Sequence, residues 1–354
     1  MRTRTILTAL LAAAVSAAAH AQGGAAPKPT DGPVLTMSST VNTPITLIIP
    51  NGPPNPHPYL VGYLPFYKGL EWVAYAPKID FTKMTHLNLA FLNPPDCGGP
   101  CTAQSDMGLT ANKLTDAGID AIVAAAHAHG TKVLASLGGA GGDKRIMSFY
   151  NAGLSEPLAA AIDAYCKKHN LDGVDVDIEQ PTQMGVPFTQ LVNALVSRLR
   201  PEGKLVTTAV AQYIQSAMQD DALKQFDIVN VMIYGNYQKA VTAMAYYAND
   251  KHVPKEKLTL GIGFFGNGRV NGKGTEINYN VLLSNYPNAW AVDTVGGGTY
   301  ADGATFNYEG EATVAKETQL GLQYGGAMIW ELSGDDSGTP HSILNVIQKN
   351  LSPQ

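Results

Sequence analysis

The chain of 354 residues is 45% apolar and 15% charged. That is enough to bury one large core or two modest ones, and it sets aside an intrinsically disordered chain. Lys and Arg total 24 against 29 Asp and Glu, so there is no basic surplus to hold nucleic acid or an anionic membrane, and the expected partner is a neutral molecule.

In chain order, Arg2 and Arg4 precede an apolar run from Ile6 to Ala19, and Ala19-His20-Ala21 places small residues where a signal peptidase reads. Residues 1–21 are therefore expected to be a signal peptide, too short to span a membrane, and the protein to be secreted, extracellular or periplasmic. Residues 22–57, rich in Pro, Gly, Ser and Thr, read as a linker or arm with one strand in "TPITLIIP". From residue 58 to 350 short β-rich runs alternate with helical ones. The strands are expected near Val61, Leu89, Leu134, within "GVDVDIE", and near Thr208, Val231, Gly261 and Ile329. Helical patterns run from Leu114 to His129 and from Ser155 to Asn170, with Ser155 as the expected cap. Leu191, Leu195 and Leu199 share one face of a third helix. An oxidising compartment would let Cys97 and Cys101, in "DCGGPC", close a small loop, a pairing the spacing alone leaves open. Cys166 lies on a helical pattern and is expected to be buried, and three thiols so spaced make a poor zinc site.

Eight strands alternating with helices match a (β/α)8 TIM barrel of the α/β class, with a short insertion between strands 7 and 8. A doubly wound sheet is the competing fold, but "VGYLPFY" carries no Gly-rich phosphate turn after the first strand, and "GGAGGDK" lacks the spacing of a P-loop. The insertion, from Asn267 to Gly310, reads as loops with a small hairpin after a seventh strand ending near Gly266. A helix through Val314 to Leu322 follows.

One stretch carries the chemistry. In "LDGVDVDIEQ", Asp175, Asp177 and Glu179 occupy alternate positions among β-branched residues. Alternation sends Val174, Val176 and Ile178 toward the helices and the three acids into the barrel, about 6–7 Å apart along the row. Glu179, last in the row, lies nearest the C-terminal rim, where barrel enzymes keep their reactive groups. Unpaired buried charge is costly, so the row has a function. Two chemistries suit it: a divalent cation held by the acids, or a graded set of pKa values. In the second, Asp175 and Asp177 share a proton, and their charge keeps Glu179 protonated as a general acid.

"DGVDVDIE" resembles the DGxDxDxE signature of family 18 glycoside hydrolases, the chitinases and their relatives. "SLGG" at Ser136 to Gly139 is similar to that family's third strand, "VMIY" at Val231 to Tyr234 to its sixth, and "GAMIWELSGDD" with Trp330 to its eighth. "VGYLPFY" and "LAFL" resemble the first and second. The resemblance implies retaining, substrate-assisted hydrolysis of β-1,4-linked N-acetylglucosamine in chitin or chito-oligosaccharides, with neither metal nor cofactor. Glu179 would be the proton donor, Asp177 the group holding the 2-acetamido N–H, and Asp175 the holder of the proton Asp177 gives up. Tyr234 would orient the acetamide carbonyl, with Met232 beside it. Trp330 would floor the sugar site, and Tyr63 and Phe91 would complete it. A monomer is expected.

Many members of that family place Asp or Asn directly after the sixth-strand tyrosine, whereas here Gly235 follows and Asn236 comes next. A Tyr-Gly pair also occurs in family members that cut the chitobiose core of N-glycans as endo-β-N-acetylglucosaminidases, which makes that activity the alternative. A non-catalytic chitin-binding relative is the other, and the presence of Glu179 argues against it. The insertion is expected to leave an open cleft suited to endo-acting cutting.

Overall fold

The computed structural model describes residues 34–37, 45–48, 54–67, 78–111, 113–211, 217–270, 272–296 and 304–351. The expected signal peptide at 1–21 and most of the arm at 22–57 lie outside these residues. Within the arm, Val34–Met37 and Ile45–Ile48 pair as an antiparallel ribbon, the second strand falling inside "TPITLIIP".

Eight parallel strands close into a barrel in sequence order: β1 Tyr59–Pro65, β2 His86–Ala90, β3 Lys132–Gly138, β4 Gly173–Asp177, β5 Leu205–Ala211, β6 Val229–Met232, β7 Leu258–Gly263 and β8 Gly326–Trp330. The last strand pairs back onto the first, Gly326 opposite Tyr59. All eight fall where the alternation of the sequence puts them. The principal helices are α1 Asp116–His127, α2 Asp143–Asn151, α3 Ser155–Lys168, α4 Val186–Leu199, α5 Tyr237–Asn249, α6 Glu311–Leu322 and α7 Ile343–Leu351.

Two cores follow from the alternation. The larger lies between strands and helices, where Val174, Val176 and Ile178 of the acid strand join Leu158, Ile162, Leu191, Leu195 and Leu199. The smaller fills the barrel interior with Val61, Tyr63, Ala90, Ile228 and Met328, against which Phe91, Met232, Tyr234 and Trp330 pack. At about 25 cal/mol per Å2 of apolar surface, the outer core is the main source of stability. The inner one sets the shape of the site. Cys166 is buried in the outer core, its thiol pushed up to about 12 by desolvation, and Cys97 and Cys101 are disulfide-bonded.

Two local expectations change. Ser155 does not cap α3. A turn through Gly153 returns the Leu154 N–H to the Phe149 carbonyl, so Leu154 takes the cap position and Ser155 is already helical. The insertion is also more ordered than loops and a hairpin. After β7 ends at Gly263, Phe265–Val270 pairs with Lys273–Asn278 and with Thr305–Asn307, and Thr305–Asn307 pairs with Thr294–Gly296, making a four-stranded antiparallel sheet.

Candidate active site at the C-terminal rim of the barrel

The acid row begins deep and ends at the rim. Asp175 is fully buried, and its carboxylate accepts from four side chains on four other strands. Oδ2 takes the Tyr63 hydroxyl at 2.7 Å and the Ser136 hydroxyl at 2.8 Å; Oδ1 takes the Thr207 hydroxyl at 2.7 Å and Asn230 Nδ2 at 3.4 Å. Thr259 donates to Asn230 Oδ1 at 2.7 Å, which turns the Asn230 amide so that its N–H faces the acid. Burial raises the Asp175 pKa, and the hydrogen bonds from Thr207, Tyr63, Ser136 and Asn230 work against that rise.

Asp177, one pleat higher, is buried without such support. Its Oδ1 has no hydrogen-bond partner among the described residues. Desolvation pushes its pKa well above the ordinary carboxylate range, followed by the charges of Glu179, Asp175 and Asp143. Glu179 stands just beyond the end of β4, half-buried, and its backbone N–H donates to Asp143 Oδ2 at 3.3 Å. Its charge raises the pKa of Asp177 and of Tyr234.

The turn after β3 supports this row. Gly138, at φ +97°, has a Cβ position 2.1 Å from the Asp177 carbonyl oxygen, an approach only glycine tolerates. Asn93 clamps the same residue, accepting the Gly138 N–H at 2.8 Å and donating to its carbonyl at 3.0 Å, and the Gly139 N–H donates to the Asp177 carbonyl at 2.9 Å. The "SLGG" run is thus a close-approach device as well as the source of Ser136.

The aromatic residues pack on the inner cluster of the barrel. The Tyr234 hydroxyl, 3.9 Å from the thioether of Met328, has its pKa pushed up by burial and then by the charges of Asp177, Glu179 and Glu309. Trp330 stacks on Phe91 with ring centroids 5.7 Å apart and lies 5.6 Å from Tyr63. Met232 is half-buried against the same inner cluster. All eight residues singled out from the sequence therefore converge on one end of the barrel. Gly235, at φ +73°, turns the chain, and Asn236 caps α5 by accepting the Lys239 N–H.

Proton sharing between Asp175 and Asp177 was the expectation; in the structure both Asp175 oxygens accept from hydroxyl and amide donors, and the charges of Glu179 and Asp175 both raise Asp177. Sequence reasoning also passed over Thr207, Asn230, Thr259 and Asp143, and used Ser136 only as part of a motif. Ser136, Thr207, Asn230 and Thr259 carry the same signal as the acids, a polar residue at an inward position of an apolar strand. Among the described residues no group of three or more His, Cys, Asp or Glu side chains is placed to hold a metal ion.

Comparison with known proteins follows the same outline. Chitinase 63 of Streptomyces plicatus is 28% identical over 357 residues, covering 76% of this chain and 56% of that protein. A chitinase-like effector of Moniliophthora perniciosa is 26% identical over 267 residues, covering 63% and 59%. The chain thus spans little more than half the length of the curated relatives it matches. Among solved structures, the chitinase ChiB from the chitin utilization locus of Flavobacterium johnsoniae superposes with a TM-score of 0.70 at 25% identity, covering 84% of this chain and 94% of that one. Residues 60–335 match glycosyl hydrolases family 18, a span that holds the whole acid row, the closed barrel and its aromatic rim, and the chain belongs to that family.

Proposed function

We propose that this protein is a glycoside hydrolase that cleaves β-1,4-linked N-acetylglucosamine in chitin or its oligosaccharides, with retention, using the substrate's own acetamide as nucleophile. The observation that carries the reading is a pair of incomplete polar groups. Among the described residues Asp177 Oδ1 is an acceptor with no donor, and the Tyr234 hydroxyl is a donor whose contact is a weakly accepting thioether. A secondary amide supplies the complement of both, an N–H for Asp177 and a carbonyl for Tyr234.

Held so, the acetamide oxygen attacks C1 as Glu179 passes its proton to the leaving glycosidic oxygen and the C1–O bond breaks. The resulting oxazolinium ion is stabilised by Asp177. Water then adds to C1 from the side the leaving group vacated, Glu179 takes its proton, and the acetamide is restored, so the anomer released first is β. Asp175 anchors the base of the row through its four donors. Trp330, with Phe91, Tyr63 and Met232 around it, offers an apolar floor to the C–H face of the sugar. The basic and apolar N-terminal residues and the Cys97–Cys101 bridge support export to an oxidising compartment. Within the same reading the protein acts as a monomer and cuts internally.

The test is a product assay on N-acetylglucosamine oligomers and, separately, on a high-mannose glycoprotein. Oligomer shortening with β-anomer release is the expected result, and Glu179→Gln should abolish turnover while leaving oligomer binding in place. Glycan release without oligomer cleavage would favour the N-glycan reading, which Gly235 after Tyr234 supports. Full turnover by Glu179→Gln, or α-anomer release, would refute the mechanism.

A further inference from the structure

Behind Tyr234 the barrel rim holds a second acidic pair. Glu309, between the insertion sheet and α6, is buried, and its two oxygens accept different backbone amides: Oε1 the Gly235 N–H at 2.5 Å, Oε2 the Gly263 N–H at 3.0 Å. Gly235 follows Tyr234 directly. Gly263 ends β7 and stands opposite Trp330 in the pairing of β7 with β8. One side chain therefore ties together two rim positions, each adjacent to a residue of the proposed sugar site.

Amide N–H groups only donate, so Glu309 accepts with both oxygens, and of the two acids it is the one that ionises first. Glu317, on α6, is fully buried beside Glu309, and neither of its oxygens meets a donor among the described residues. Two neighbouring buried carboxyls are tolerated only when at least one is protonated, and Glu317, the one without donors, is the one that holds the proton. The titratable groups around the pair offer no relief. Asp293, which accepts from Gly310 N and the Thr313 hydroxyl, adds negative charge from the insertion; Tyr234, two residues beyond β6, feels the charge of Glu309, and Tyr237 of α5 that of Glu317.

We propose that Glu309 is a positioning residue for the active site, its carboxylate fixing the ends of β6 and β7, and that the single proton on Glu317 is what lets the two acids occupy one pocket. The inference rests on the reading of Tyr234 as the acetamide-holding hydroxyl. Burial raises both carboxyls, Glu309 to about 7 and Glu317 well above the ordinary range. For acids whose folded values exceed the ordinary 4.5, the folded state binds protons more tightly, so stability falls as pH climbs from that value through the folded ones. Loss of that proton leaves two like charges in contact, and the clamp on Gly235 loosens.

Two readouts test this. Thermal melting from pH 5 to 9, without substrate, should show the wild-type midpoint falling toward alkaline pH and a flatter profile for Glu317→Gln, whose amide is neutral and does not titrate. Steady-state kinetics on N-acetylglucosamine oligomers should show Glu309→Gln, which offers one acceptor oxygen to two amides, losing about tenfold to a hundredfold in kcat with a smaller change in KM. Glu317→Gln should retain kcat and extend it to higher pH. Parallel melting profiles for wild type and Glu317→Gln, or wild-type kcat in Glu309→Gln, would overturn the proposal. A wild type inert toward every sugar sinks the hydrolase reading instead, and the clamp is then decided by the melting profiles.

Discussion

Replacing Tyr63 with Phe isolates the support given to Asp175. The substitution keeps the ring that packs near Trp330 and deletes only the hydroxyl that donates to Asp175 Oδ2 at 2.7 Å. A hydrogen bond to a charged acceptor is worth about 1.5–3 kcal/mol. Asp175 is fully buried, so solvent does not replace it. Losing that donor should raise the Asp175 pKa beyond the elevation that burial already imposes. The sign follows from linkage. A carboxyl raised above its ordinary 3.8 costs the folded state increasingly as pH rises through the window between that value and the folded one. The variant, raised further, loses more there. Below 3.8 the acid is protonated in both states, and the two proteins converge. Melting in buffers from pH 3.5 to 8 should therefore show Tyr63→Phe lower by about 2–5 °C near neutrality and by clearly less at the acid end. A deficit independent of pH would mean that the hydroxyl contributes packing alone, and no deficit would mean that it does not serve the carboxylate.

Two further outcomes are expected. Asp143→Asn removes a negative charge that raises Asp177, so the acid limb of kcat/KM on N-acetylglucosamine oligomers should move to lower pH; an unmoved or rising limb would contradict that coupling. Gly138→Ala puts a methyl group 2.1 Å from the Asp177 carbonyl oxygen at φ +97°, and the cost should exceed about 3 kcal/mol, seen as a depressed urea midpoint together with lost turnover. Wild-type stability in that variant would show that β3 and β4 do not meet so closely.

The linear chain determined the barrel and its reactive end. Short β-rich runs between helical ones mark eight strands without knowledge of their neighbours, and in "GVDVDIE" period-two alternation also decides that the acids point inward and that Glu179 comes last. The insertion read as loops with a small hairpin, and its four-stranded pairing was not legible in the chain. Closure decided the rest. Ser136, Thr207 and Asn230 come from β3, β5 and β6, and they meet Asp175 only because a closed, tilted sheet brings equivalent inward positions of separate strands to one level. Glu309 and Glu317 lie on no strand of the barrel, so no alternation announces them. Their pairing depends on how α6 settles against the ends of β6 and β7. Proton placement is likewise a tertiary property. The donors around Asp175 arrive from distant parts of the chain, whereas Asp177 is raised first by its burial and then by the charges of Glu179, Asp175 and Asp143. Local pattern reports which way a side chain points, but its charge state depends on what the folded chain brings opposite it.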